Sequence, residues 1–174
     1  MDLTAELTEL SHGLHRQRRL IELTVNRLHL AALVLEQRSE LPRGVNLDEV
    51  HRVLEHLHHE EMFRAVLVAG IAEALGTGTE PDLIEIIAYA PPEEGNRLAD
   101  RRDRLVRAIH AADILSEQLH LDALKTTTSG HLTTTRAGDG IVIELDAPLV
   151  AEDLVETAKR VAQPSLRNFL FHPI

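Results

Sequence analysis

Residues 1 to 40 contain no proline and one glycine, Gly13, and their apolar residues fall at steps of three and four. Leu3, Leu7, Leu10, Leu14, Ile21, Val25, Leu28, Ala32 and Leu35 make a continuous stripe, with Gln17 in its gap. That spacing is one face of a helix, close to the 3.5-residue repeat that lets long helices lie side by side. A helix from Leu3 to about Ser39 would be roughly 55 Å long. A seam of that length is stable only when neighbouring helices cover it, so the chain is directed towards helix-on-helix packing.

The aromatic content points the same way. Phe63, Tyr89, Phe169 and Phe171 are the only aromatic rings of the Phe, Tyr and Trp types, so the core must be built from Leu, Ile, Val and Ala. Such a core suits packed helices better than a β-sandwich. A chain of 174 residues is expected to form one domain with a core of its own. The absence of cysteine excludes disulfides and thiolate metal sites. A formal charge of −10 at pH 7 argues against a phosphate-binding surface, so nucleic acid is not an expected partner. Eleven histidines make that balance sensitive to acid, because an ordinary imidazole gains its proton below about pH 6.5. The opening MDLTAELTEL is acidic and amphipathic, unlike a secretory signal. The longest apolar run, near Ala65–Ala72, is far short of the ~20 residues that cross a bilayer. A soluble, cytoplasmic protein without membrane insertion is expected.

LPRG at 41–44 ends the first helix, and Asn46 with Glu49 three residues on resembles a capping box for a second. That helix should run to Leu75 and stop at Gly76. GTGTEP (76–81) is a loop, PDLIEIIAYA a short helix from Pro81, and Pro91 and Pro92 open a third long helix. The third stripe is Leu98, Leu105, Ile109, Ala112, Leu115 and Leu119. After Leu124 the character changes. TTTSGHLTTTRAGDG and the following IVIEL predict a β-hairpin over 131–145. Helical spacing returns between Pro148 and Ala162 through Val150, Leu154, Ala158 and Val161, and Pro164 interrupts it. The expected fold is all-α: an antiparallel bundle of three long helices with a short connecting helix in residues 1–125. Residues 126–174 form a C-terminal extension, with the hairpin and a short helix, packed on the bundle or flexible beside it.

The stretch HRVLEHLHHEEMFRAVLVAG (51–70) is dense in histidine and glutamate. On a helix, Leu47, Val50, Leu54, Leu57, Ala65, Val68, Ala72 and Leu75 share one side, and His51, Glu55, His58 and Met62 form a separate stripe. Glu61 falls near the middle of the apolar side, with Arg64 as its ion-pair partner. His51, Glu55 and His58 at i, i+4 and i+7 are candidate metal ligands, because Glu-x-x-His is the spacing of di-iron bundles and His-x-x-x-Glu resembles hemerythrin-like ones. Such sites need a second Glu-x-x-His, which the chain lacks, although His12, His15, His110 and His120 remain as further imidazoles. The competing reading is a solvated face beside a packing stripe. Arg104 and His110 on one helix match a spacing found in some helical ribonucleases. The acidic balance opposes RNA, and Asp103 with Arg107 has the spacing of an exposed ion pair. With no P-loop, no G-x-S-x-G and no H-E-x-x-H, neither catalysis nor a cofactor is expected.

Taken in order, LHRQRRLIELTVNRLHLAALVLEQ, LDEVHRVLEHL, EEMFRAVLVAGIAEALG and DLIEIIAYAPPEEGNRLADRRDRL resemble the FlgN family of flagellar export chaperones over about residues 10–120. The resemblance implies a helical bundle and a binding function without catalysis. Its clients would be flagellar hook-associated (hook–filament junction) proteins, held by their C-terminal helical segments before type III export, with the export gate as a further contact. It also implies a monomer or weak homodimer, and it makes Glu61 and Arg64 parts of a packing motif. The expected client surface is the end of the third long helix and the tail: Leu115, Leu119, Leu124, Leu154, Val161, Leu166, Phe169 and Phe171. The five tail residues close a groove or mimic a client helix, or else all eight pack against the bundle. Two other functions stay open, a metal-binding bundle using His51, Glu55 and His58, and a structural coiled-coil adaptor self-associating through the first helix.

Overall fold

A computed structural model of the chain describes residues 3–36, 47–77, 80–128, 147–161 and 164–171. Six helices occur among them: α1 (Leu3–Glu36), α2 (Leu47–Leu75), α3 (Leu83–Tyr89), α4 (Pro92–Thr128), α5 (Ala147–Val161) and α6 (Pro164–Leu170). No strand occurs among the described residues, and the expected hairpin over 131–145 lies outside them. None of the described helices is long and apolar enough to cross a membrane.

The helix ends follow local chemistry. At the end of α2, Gly76 takes φ +67°, the left-handed conformation that a β-carbon disfavours. Its N–H donates to the Glu73 carbonyl at 3.2 Å and that of Thr77 donates to Ala72 at 3.2 Å, the paired bonds of a Schellman cap. The short helix begins two residues later than its proline suggests, at Leu83. Asp82 is the N-cap of α3, accepting from the Glu85 N–H at 2.8 Å while Glu85 accepts from the Asp82 N–H at 3.1 Å. Pro92 occupies the first position of α4, where its missing N–H costs nothing. One turn on, a β-carbon at Gly95 would meet the Ile87 carbonyl at 3.2 Å, so glycine lets α3 lie close against the start of α4. Pro164 has the same role in α6, opening a helix where the sequence suggested an interruption.

α1 is the hub. It packs against α2 on one side and α4 on the other, and α5 packs against α4, α1 and, more lightly, α2. Of its stripe, Leu7, Leu10, Leu14, Ile21 and Leu28 are almost fully enclosed, and Leu3, Val25 and Ala32 are partly buried. Contact with helices on both sides widens the buried face, so Ser11, Gln17 and Thr24 are also enclosed. Thr24 satisfies its hydroxyl by donating to the Leu20 carbonyl one turn back, at 2.9 Å. The α4 stripe of Leu98, Leu105, Ile109, Ala112, Leu115 and Leu119 is buried throughout. Leu154, Val155, Ala158 and Val161 of α5, with Leu166, Phe169 and Leu170 of α6, join the same hydrophobic cluster. The tail therefore shares the core of the long helices.

Candidate partner-binding site

Of the eight residues expected to meet a client, six lie in that shared core: Leu115 and Leu119 on α4, Leu154 and Val161 on α5, Leu166 and Phe169 on α6. Phe171 lies just past α6 and is 40 % exposed. Leu124 belongs to α4, but its side chain is outside the described ones. All six belong to one hydrophobic cluster, and α5 packs chiefly against α4 and α1. α5 is only 15 residues long, against 34, 29 and 37 for α1, α2 and α4.

Contacts to arginine hold α6 and Phe171 against the long helices. Arg102 of α4 donates from Nε to the Leu170 carbonyl at 3.0 Å, at the end of α6, where helix carbonyls lack partners. Its guanidinium also lies 6.0 Å from the centre of the Phe171 ring. Arg167 of α6 pairs with Asp113 of α4. Arg64 of α2 lies over the Phe169 ring at 4.9 Å.

Arg64 is only 6 % exposed. Its expected partner Glu61 is 3.8 Å away, and its Nη1 atom has no hydrogen-bond partner among the described residues. Burial pushes the guanidinium pKa down, against the opposing pull of Glu61. The group nevertheless stays charged, as arginine does in proteins. Periodicity puts Glu61 on the apolar side of α2 with Arg64 as its partner, whereas in the structure Arg64 is the buried member, lying against Phe169 of α6. Ala65, expected on the same buried side, is exposed.

A second feature lies between α2 and α5. Because α5 sits nearer α4 and α1 than α2, an open cleft of about 610 Å³ separates it from the histidine stripe. Its lining is His51, Leu54, Glu55, His58 and His59 from α2, with Lys159 and Arg160 from the last turn of α5. Lys159 bonds to Glu156 on its own helix at 2.8 Å, and that bond holds the Glu156 carboxyl below its ordinary pKa. His58 is 3.8 Å from Glu61. Among the described residues no group of three His, Asp or Glu side chains is placed to hold a metal ion. His51, Glu55 and His58 thus share a cleft wall without forming a ligand set. Facing them are two cations, which is a poor environment for a further positive ion.

Elsewhere, Arg104 is engaged with Asp100 at 3.0 Å and His110 is exposed, so these two face solvent with ordinary helix-surface chemistry. Asp103 accepts from its neighbour Arg102 at 3.4 Å, where spacing suggested Arg107. Two further cross-helix contacts go beyond the sequence reading. Arg16 of α1 bonds to Glu60 of α2 at 2.8 Å, which raises the Arg16 pKa. Arg101 of α4 bonds to Nδ1 of His15 on α1 at 3.1 Å. Burial and then the Arg101 charge lower the His15 pKa. With arginine as the donor, Nδ1 must be the acceptor, so the neutral imidazole carries its hydrogen on Nε2.

Comparisons with protein-family models, with curated proteins and with solved structures return no match.

Proposed function

We propose that this chain is a non-catalytic chaperone that holds an amphipathic helical segment of another protein. Following the resemblance of residues 10–120, its clients are the C-terminal helical segments of flagellar hook–filament junction proteins, bound in the cytoplasm before type III export. One observation carries the proposal: the fourth position of the bundle is occupied by a short amphipathic helix, α5, seated in the core shared by α1 and α4. The long helices within the resemblance therefore leave an apolar seat for one more helix, the geometry of helix-in-groove recognition. α5 is the occupant when no client is present. A client helix takes its place against Leu115 and Leu119, and Leu154, Val161, Leu166 and Phe169 leave as a unit. Phe171, already exposed, extends the same surface, to which the sequence reading also assigns Leu124. Ordering the client consumes part of the interaction energy, so reversible binding of moderate affinity is expected, as handover to an export gate requires.

The test is calorimetric titration of the full chain with the C-terminal segment of its own host's hook–filament junction protein, paired with hydrogen exchange. Binding should be saturable and should expose the amides of α5 while α1 and α4 stay protected. Absence of binding to every hook–filament junction protein of the host refutes the client assignment. Binding with α5 fully protected refutes the exchange.

A further inference from the structure

We infer that Arg64 determines the specificity of the seat: when α5 and α6 leave, its guanidinium takes one side-chain carboxylate of the incoming client helix. The inference rests on the exchange proposed above and names the client chemistry that the exchange selects.

Arg64 is enclosed, yet its hydrogen bonding is unfinished. Only 6 % of it is exposed, and its buried Nη1 atom has no hydrogen-bond partner among the described residues. Glu61, one turn back, comes no nearer to Nη2 than 3.8 Å, which is too long for a hydrogen bond. That carboxylate also stands 3.8 Å from His58, and its neighbour Glu60 is committed to Arg16 at 2.8 Å. Phe169 covers the guanidinium with its ring centre at 4.9 Å. A ring face attracts the cation but gives the N–H edge no oxygen. A buried donor left in that state costs free energy, and an apolar side chain of similar volume would fill the contact without that cost. Packing alone therefore does not call for a guanidinium at this place.

The element that covers Arg64 is also the one that moves. Phe169 belongs to the α5–α6 unit, and its departure uncovers the arginine beside the vacated seat. A client helix either lays another apolar residue on Arg64, which repeats the defect, or brings an oxygen to Nη1. Backbone carbonyls within a helix are already bonded, so the oxygen must come from a side chain. A carboxylate accepts from two guanidinium N–H groups at once and neutralises the enclosed charge, which an amide oxygen does not. The selection is for one carboxylate in a defined place. An acidic segment as a whole is repelled by a chain of formal charge −10, so the gain cannot come from the client's net charge.

The probe is the labelled C-terminal segment of the host's hook–filament junction protein, with each Asp or Glu replaced in turn by Asn or Gln. Fluorescence anisotropy on the full chain reads the affinities. One replacement should weaken binding about tenfold, the size of a charge-assisted hydrogen bond. Arg64→Met should be indifferent to that replacement, while the other replacements affect both proteins alike. Any change in how firmly α6 docks acts on all the peptides equally and cancels in this double-mutant comparison. Arg64→Gln, neutral and polar, is the second variant should the methionine protein fail to melt cooperatively, and it should show the same indifference. The effect should persist as salt rises from about 50 to about 300 mM, because an enclosed pair is little screened. Equal losses on wild type and variant for every replacement overturn the inference and leave the exchange standing. So does an effect that vanishes at high salt, which would belong to an exposed pair. Absence of binding by the unaltered segment refutes the client assignment and this inference with it.

Discussion

Shortening one leucine in α5 separates exchange from ordinary destabilisation. Leu154 has no exposed surface and lies in the middle of α5, in the core cluster shared with Leu115 and Leu119. Replacing a leucine so enclosed by alanine costs about 2–5 kcal/mol in transfer and cavity terms. If α5 leaves its seat before the client enters, the lower figure alone raises the population of the vacated seat about 30-fold. A client that binds only the vacated seat then gains apparent affinity by the same factor, provided α5 is docked in most wild-type molecules. Leu98→Ala is the control, because Leu98 is equally buried but sits near the start of α4, where α3 packs. It should lower the melting temperature and leave client affinity unchanged. Calorimetry with the hook–filament junction segment reads the affinities, and far-ultraviolet circular dichroism confirms that each variant keeps its helices. A folded Leu154→Ala protein that binds its client no more tightly than wild type refutes exchange.

Arg64→Met should be neutral or stabilising by about 1 kcal/mol, because methionine fills similar volume without burying a charge. Arg64→Ala should cost about 2 kcal/mol by emptying the contact over Phe169, and chemical denaturation distinguishes the two. His15 carries a defined pH signature. Its folded pKa lies below the ordinary value of 6.5, so near pH 6 the unfolded chain binds more protons than the folded one. The stabilisation is complete above the unfolded value and is lost as pH falls through the folded one. His15→Gln, which keeps an acceptor for Arg101, should lose less melting temperature than wild type between about pH 7.5 and 5. Gly76→Ala should cost about 1–2 kcal/mol in a thermal melt, because φ is +67° and no neighbouring atom lies within 4 Å to complicate the conformational term.

The features legible in the sequence are those encoded within one helix. The α1 and α4 stripes, the stop at Gly76 and the start at Pro92 depend on side chains a few residues apart, and the structure follows them closely. Glu61 on the apolar side, with Arg64 as its partner, was visible for the same reason. The place of α5 was not legible. Its spacing marks a helix, but nothing local says that Leu154 and Val161 will meet the core that contains Leu115 and Leu119 rather than lie beside the bundle. The cleft was half legible. The stripe of His51, Glu55 and His58 is periodic, whereas His59, Lys159 and Arg160 join it only through the approach of two helices about a hundred residues apart.

The seat and the cleft have a common origin in how α5 is placed. α1 is long enough to support α2 and α4 on its two sides, leaving one position between them. A 15-residue helix drawn onto α4 and α1 covers their leucines but meets α2 only lightly. The apolar area so buried favours docking, yet a short helix makes fewer contacts than a longer client helix would, which is the condition for displacement. The same light contact leaves open the cleft between His51, His58 and His59 of α2 and the last turn of α5. Removing α5 would therefore enlarge the seat and take away Lys159 and Arg160, one wall of the cleft, in a single movement.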